Sequence, residues 1–110
     1  MMKNWTIPRN RIGRGASRYV CGKDRNHNEA IRYARVFGWD VFDTHKLPGF
    51  CDFIMLRAGH NIYVEVKNPE AGGKLTADQE AFKMRVEASG GHYEVIRYPA
   101  EDLERISKEF

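Results

Sequence analysis

Three residues near the middle of the chain, Asp52, Glu65 and Lys67, are of the types that enzymes use to hydrolyse phosphodiester bonds. Glu65 and Lys67 lie two residues apart in an alternating segment, so both point to one face of a strand, about 6.5–7 Å apart. Carboxylate oxygens suit Mg²⁺ or Mn²⁺, the metal lowers the pKa of a bound water, and a nearby ammonium group stabilises the phosphoryl charge. The pattern predicts metal-dependent hydrolysis, with an ordinary solvated strand edge as the alternative.

Asp52 is predicted to lie beside Glu65. It stands in an apolar run over 51–57, and a turn at 58–61 separates this run from the alternating segment over 62–67. The two acids are almost equally far from that turn, so an antiparallel hairpin would bring them opposite each other, about 5 Å apart. Carboxylates this close repel each other unless a divalent cation lies between them.

The elements that carry these residues follow from hydrophobic periodicity and capping signals. Asn26 or Asn28 can cap the first helix and Gly38 can end it, while Thr76 can cap the second. The run over 51–57 suits a central strand buried on both faces. This order, α-β-β-β-α-β-α, predicts an α/β fold with a mixed central sheet of about four strands flanked by helices. The predicted elements are a helix over 28–37, strands over 39–44, 51–57 and 62–67, a helix from 76 to about 88, a strand over 92–98 and a helix over 99–110.

Positive charge is concentrated at the start of the chain. Residues 1–27 carry seven basic side chains and one acidic one, a net charge of +6, whereas the whole chain carries +3. A basic arm on a neutral-to-acidic body suggests a polyanionic partner such as DNA, and the alternative is a solvated tail. We therefore divide the chain into a basic arm, 1–23, and a single domain, 24–110. The candidate DNA-binding residues of the arm are Arg11, Arg14, Arg18 and Lys23.

The 110 residues suffice for one domain with one core. No apolar run approaches the roughly 18–20 residues of a membrane span, and residues 1–10 lack the apolar stretch of a secretory signal. We therefore expect no membrane partner and a cytoplasmic location. Cys21 and Cys51 are too few for a disulfide framework or a zinc site, and Cys51 is expected to be a small buried side chain.

The candidate acids also resemble a known motif. Asp52, thirteen residues before Glu65-Val66-Lys67, is similar to the PD-(D/E)xK motif of restriction-endonuclease-like nucleases, and its surroundings resemble the VRR-NUC family. The chain departs from the family in having its proline at 48, not directly before Asp52, and in keeping one arginine of the Val-Arg-Arg region. The other matching segments are the opening helix motif at 24–29 (DRNHNE), the strand entry at 48–52 (PGFCD), the helix entry at 73–79 (GKLTADQ) and the Val-Arg-Arg region at 95–97 (VIR).

This resemblance implies a restriction-endonuclease-like core and a set of metal ligands. Asp52, Glu65 and the main-chain carbonyl of Val66 would hold a first Mg²⁺ ion, for which Mn²⁺ can substitute. Lys67 would orient the attacking water.

Three further roles are implied for residues outside the hairpin. Glu29 would supply a carboxylate from the first helix, and its alternative role is a first-turn acid that complements the helix dipole. Gln79 would lie beside the lysine, or would be an ordinary capping or surface glutamine. Lys74 would contact phosphate, or would be a plain loop lysine.

The implied activity is a Mg²⁺-dependent DNA endonuclease. Stand-alone family members are often phage or bacterial proteins, and some resemble Holliday-junction resolvases, so we expect structure-selective cleavage of branched or duplex DNA in a bacterial host cell. A resolvase cuts two strands symmetrically, which requires a two-fold homodimer. The alternatives are a flap- or nick-directed nuclease, a catalytically silent DNA-binding module of the same fold, and a protein-interaction domain whose basic arm binds an acidic partner.

Overall fold

A mixed sheet with helices on both faces makes up the fold. The computed structural model describes the backbone of residues 21–110 and the side chains of residues 25–110. The fold class and the order of elements predicted from the sequence are confirmed. The described elements are α1 (Cys21–Val36), β1 (Asp40–Asp43), β2 (Phe53–Arg57), β3 (His60–Val66), a 3-10 turn (Pro69–Ala71), α2 (Ala77–Ala88), β4 (His92–Ile96) and α3 (Pro99–Glu109).

The strands follow one another across the sheet in chain order, β1-β2-β3-β4. The first three are antiparallel, and β4 runs parallel to β3. A parallel neighbour requires a crossover connection, and α2 provides it. This places α2 after the segment that contains Glu65 and Lys67, with the 3-10 turn and a short loop between them.

The β2–β3 hairpin turns at Ala58 and Gly59, with Arg57 opposite His60. Both turn residues have positive φ, 51° and 84°, the type I′ arrangement that matches the twist of two paired strands. The predicted hairpin is therefore confirmed, with a tighter turn than the four residues expected.

The core lies between the sheet and the pair α1 and α3. Phe53, Met55, Ile62 and Val64 point into it from the two central strands and are fully buried. The residues that meet them from the two helices are Ala30, Ile31, Ala34, Leu103 and Ile106. None of the helices in the described range is long and apolar enough to cross a bilayer.

The opposite face of the sheet is only partly covered, which corrects one expectation. The strand over 51–57 was expected to be buried on both faces, but Ile54 and Leu56 are partly exposed. The reason is that α2 packs against β4 at one side of the sheet. Its Phe82 ring contacts Tyr93 of β4 and also Phe50.

Several element boundaries also differ from those expected. The first helix begins at Cys21 instead of 28, and β3 begins at His60 instead of 62. The last strand ends at Ile96 instead of 98, because Tyr98 is already the N-cap of α3 and Pro99 its first residue. Proline fits the first turn of a helix, where its missing N–H is not needed.

Arg57 ties together the end of the sheet that lies away from the candidate acids. Its guanidinium group donates to the carbonyls of Phe37 (2.7 Å) and Ser107 (2.6 Å), and it stacks on the Trp39 ring at 4.4 Å. This residue therefore joins the C-terminal ends of α1 and α3 to the hairpin.

Candidate active site

Asp52 lies against the backbone of β3, next to Glu65. Its N–H donates to the Val64 carbonyl (2.9 Å), and its Oδ2 accepts a 2.7 Å hydrogen bond from the Val66 N–H. Because Val64 and Val66 flank Glu65, these two bonds place Asp52 opposite Glu65 in the hairpin register. The strand β2 begins just after Asp52, at Phe53 and not at 51.

Glu65 is a buried carboxylate, with only 5% of its surface exposed. It points away from the core, since its neighbour Val64 pairs with Phe53 on the core face. Its Oε2 accepts a 2.9 Å hydrogen bond from Nε2 of Gln79. Burying an ionised carboxylate is costly unless hydrogen bonds or a cation compensate, and Gln79 supplies part of that compensation.

Gln79 has a second task at the start of α2. Its Oε1 accepts a bond from the Thr76 N–H (2.8 Å), while the Thr76 hydroxyl accepts one from the Gln79 N–H (3.2 Å). This reciprocal capping box fixes the orientation of the amide, because its oxygen must face an N–H donor. The amide nitrogen is then directed at Glu65. The two roles considered for Gln79, capping residue and site residue, therefore occur together.

Lys67 lies two residues beyond Glu65, and its backbone is held from both sides. Its N–H donates to the Ile96 carbonyl (2.9 Å), and its carbonyl accepts from Nδ2 of Asn26 on α1 (3.0 Å). Within residues 25–110 its ammonium group has no carboxylate in ion-pairing distance. The main chain of Lys67 is therefore fixed, and its side chain is not engaged in a described ion pair.

The Tyr93 hydroxyl lies in the electrostatic field of the two candidate carboxylates. Burial raises the pKa of this hydroxyl above the usual range, and the charges of Glu65 and Asp52 raise it further. The hydroxyl is buried and has no hydrogen-bond partner among the described residues. A water or cation between this hydroxyl and the carboxylates would relieve both the charge and the missing bond.

These residues fit a divalent cation. Asp52 and Glu65 offer hard oxygen donors on one face of the sheet, the type of ligand that Mg²⁺ and Mn²⁺ prefer. Val66 adjoins Asp52 through its N–H, so its carbonyl belongs to the same short segment as the two acids.

Glu29 lies apart from these acids. Its carboxylate pairs with Arg32 one turn later on α1 (3.1 Å) and lines an open groove of about 450 Å³ with Asn68 and Arg97. It forms no three-ligand group with Asp52 and Glu65, since the group of this kind in the described range is a different one. Its role near a metal stays a prediction.

Of the candidate DNA-binding residues, only Lys74 has a described side chain. Lys74 is exposed in the loop before α2. The neighbouring Gly73 carbonyl accepts a 2.9 Å bond from Nε of Arg97, so the arginine retained at 95–97 holds this loop in place. The structure describes only the backbone of Lys23, in α1, while Arg11, Arg14 and Arg18 lie outside the described residues.

Sequence reasoning missed several residues near this site. Asn26 was considered only as a cap of the first helix, but it lies inside α1 and bonds to Lys67 instead. Tyr93 was not singled out. The contacts of both residues depend on how α1 and β4 pack. His27, Asp43 and His45 form a compact cluster, for which the Asp-x-His spacing after a strand was the available signal. The expectation for Cys51 is confirmed, since it is 2% exposed.

The order and pairing of these strands and helices give a restriction-endonuclease-like α/β fold. The chain matches a solved structure described as a VRR_NUC domain, with a TM-score of 0.63 and 18% sequence identity. The match covers 80% of this chain and 96% of that one. The chain therefore has the fold of a VRR_NUC domain, as its motifs indicated. No protein-family model matches the sequence, and no curated protein does so.

Proposed function

We propose that this protein is a metal-dependent DNA endonuclease. The observation that carries the proposal is the placement of Glu65 between Asp52 and Gln79, with Lys67 directly after the end of the same strand. The likeness to a domain whose name denotes a nuclease supports the same conclusion.

Asp52 and Glu65 are the proposed ligands of Mg²⁺ or Mn²⁺, together with the Val66 carbonyl. Glu65 is buried and held by Gln79, and Asp52 is held by a backbone N–H, so both carboxylates are ordered before a metal arrives. The bound ion supplies a water of lowered pKa and neutralises charge on the phosphodiester.

Lys67 is the proposed residue that orients water and stabilises phosphoryl charge. Two main-chain hydrogen bonds hold its backbone beside the carboxylates, and its ammonium group is not engaged by a described acid. An ordered backbone with an available cationic side chain suits electrostatic stabilisation of a developing negative charge. Glu29 remains a proposed helix-borne carboxylate, and it would have to leave Arg32 to act.

The proposed substrate is branched DNA, cut by a two-fold homodimer. A resolvase needs two symmetric active sites, which a lone domain of this size does not contain. The proposed phosphate contacts are Lys74 and the basic residues of the N-terminal arm, Arg11, Arg14, Arg18 and Lys23.

The test is cleavage of a labelled panel of four-way junction, flap, nicked duplex and linear duplex in Mg²⁺, Mn²⁺ or EDTA. We expect metal-dependent cutting by the wild type, and a loss of about a hundredfold or more in Asp52→Asn, Glu65→Gln and Lys67→Met. Glu104→Gln and Lys108→Met are matched controls, because these residues form an exposed pair on α3.

Each outcome has a distinct meaning. Paired symmetric nicks in the junction alone would support the dimeric resolvase, and cutting of another substrate would keep the nuclease and remove the resolvase. Salt-dependent binding without cleavage would identify a silent DNA-binding module. Deleting residues 1–20 leaves the described part of α1 intact, and it should weaken DNA binding while the metal site remains.

A further inference from the structure

Three side chains with metal-binding atoms converge at one end of the sheet, on the core face. Nε2 of His27, on α1, lies 3.3 Å from Oδ1 of Asp43 at the end of β1. Nδ1 of His45, in the following turn, lies 2.7 Å from the same oxygen. One ligand atom from each residue lies within 4.8 Å of the other two.

The cluster is closed on one side and open on the other. The His27 side chain is 8% exposed, and its ring packs edge-on against Phe53 with centroids 6.0 Å apart. Asp43 and His45 keep 25% and 35% of their side-chain surface exposed. Solvent can therefore reach the carboxylate and one imidazole, while the other imidazole is fixed by the core.

We propose that His27, Asp43 and His45 form a binding site for a divalent transition metal of the zinc class. Ligand bonds of about 2.0–2.2 Å in a tetrahedral arrangement place ligand atoms about 3.3–3.5 Å apart. The observed distances, 2.7 Å, 3.3 Å and at most 4.8 Å, lie on both sides of that value. Small side-chain rotations are enough to complete three ligands, and the open side leaves a fourth position for water.

The ligand types decide the class of metal. Two imidazoles with one carboxylate favour Zn²⁺, Co²⁺ or related ions, whereas Mg²⁺ prefers oxygen alone. The Asp43 carboxylate is an acceptor, so the facing nitrogens of both histidines carry hydrogen here. A bound metal takes the lone pairs of these nitrogens, and each displaced proton goes to the other ring nitrogen or to solvent.

This site is separate from the proposed nuclease centre. Asp43 pairs with Phe53 in the sheet, and Phe53 pairs with Val64, so all three share the core face. Glu65 follows Val64 and therefore points to the opposite face. A metal on the histidine cluster would instead join α1 to the end of β1, which is a stabilising role independent of DNA cleavage.

The proposal is tested on the untagged full-length protein with Co²⁺ and Zn²⁺ as the probes. We expect one equivalent of Co²⁺ to produce visible d–d absorption, and Zn²⁺ to displace it while excess Mg²⁺ does not. His45→Ala and Asp43→Asn should weaken Zn²⁺ binding, measured by calorimetry, at least about tenfold. Of the four histidines in the chain, His60 lies near Phe110, away from the cluster, and His60→Ala is the control that should bind as the wild type does.

Thermal stability gives a second measurement. Zn²⁺ should raise the Tm of the wild type and of Asp52→Asn, because a ligand that binds the folded state stabilises it. It should not raise the Tm of His45→Ala, which changes a partly exposed turn residue and is expected to fold. Absence of Zn²⁺ binding, or binding that both cluster variants retain, would overturn the proposal. The cluster would then be a metal-free group of hydrogen bonds in which Asp43 accepts from the buried His27 ring. Loss of Zn²⁺ binding in Asp52→Asn would also overturn the proposal, because it would show that the ion binds at Asp52 and not at the histidine cluster.

Discussion

The amide of Gln79 donates from Nε2 to Oε2 of Glu65 over 2.9 Å, while its Oε1 accepts from the Thr76 N–H. One side chain thus both starts α2 and orders the buried acid of the proposed site. The capping box determines the direction of the amide, so the local helix signal and the site geometry are coupled. A change at either end of this chain of bonds should have a different effect on stability and on activity.

We expect Gln79→Met to lower kcat/KM for DNA cleavage by at least about tenfold, equivalent to about 1.4 kcal/mol, because Glu65 loses the donor that positions it. Thr76→Ala is the matched control. It removes the cap oxygen at a cost of about 1 kcal/mol but leaves the Gln79–Glu65 bond. Steady-state kinetics and thermal melts should separate the two variants. Equal activity losses at equal stability would mean that Gln79 acts only as a cap.

Ala58→Asn should stabilise the protein by about 0.5–1 kcal/mol. Ala58 has a φ of 51°, a left-handed conformation that asparagine tolerates better than alanine does. Gly59→Ala should destabilise by about 1–2 kcal/mol, because its φ is 84° and alanine is strained in this conformation. No atom lies near an added Cβ, so the cost comes from the backbone and not from a clash. Denaturant unfolding measures both changes. If the two variants shifted stability in the same direction, the backbone explanation would be wrong.

Arg57→Met should lower stability by about 2–4 kcal/mol, since two charge-assisted bonds to partly buried carbonyls at the ends of α1 and α3 are lost. Arg57→Lys should recover only part of this, because an ammonium group cannot match the fork that reaches the Phe37 and Ser107 carbonyls. Lys108→Met, in an exposed pair with Glu104, should change stability by less than about 0.5 kcal/mol. A fully stable Arg57→Met protein would contradict this role.

Glu94→Gln should raise the Tm at neutral pH. Burial raises the pKa of Glu94, although Arg105 partly offsets that effect. A folded-state pKa above the unfolded value of about 4.3 means that the stability from this group is complete below pH 4 and is lost as pH rises. The advantage of glutamine should therefore be present at pH 7 and disappear near pH 4. A gain that persists at pH 4 would reject the assignment.

Local pattern predicted much of the fold. The alternation over 62–67 correctly assigned the faces of β3, because a strand has a period of two wherever it packs. The capping box at Thr76 and Gln79 located the start of α2, since both partners lie within one turn. These signals depend on neighbours in the chain, which a sequence displays directly.

Features that depend on how the helices pack against the sheet could not be predicted from local sequence patterns. The apolar run over 51–57 does not encode how far α2 reaches across the sheet, so the partial exposure of Ile54 was missed. The position of Glu29 depends on the orientation of α1, which Asn26 helps to set through the Lys67 carbonyl. Asp43 and His27 come from different elements and meet only in the folded chain.

The hydrogen bond from the Lys67 N–H to the Ile96 carbonyl has a consequence for protein synthesis. Every candidate site residue precedes β4 in the chain, yet the lysine backbone is held in place only after β4 has docked beside β3. A nascent chain on the ribosome carries the acids and the lysine well before it can align them. The order of the candidate site therefore depends on a strand that lies after all of its residues in the chain.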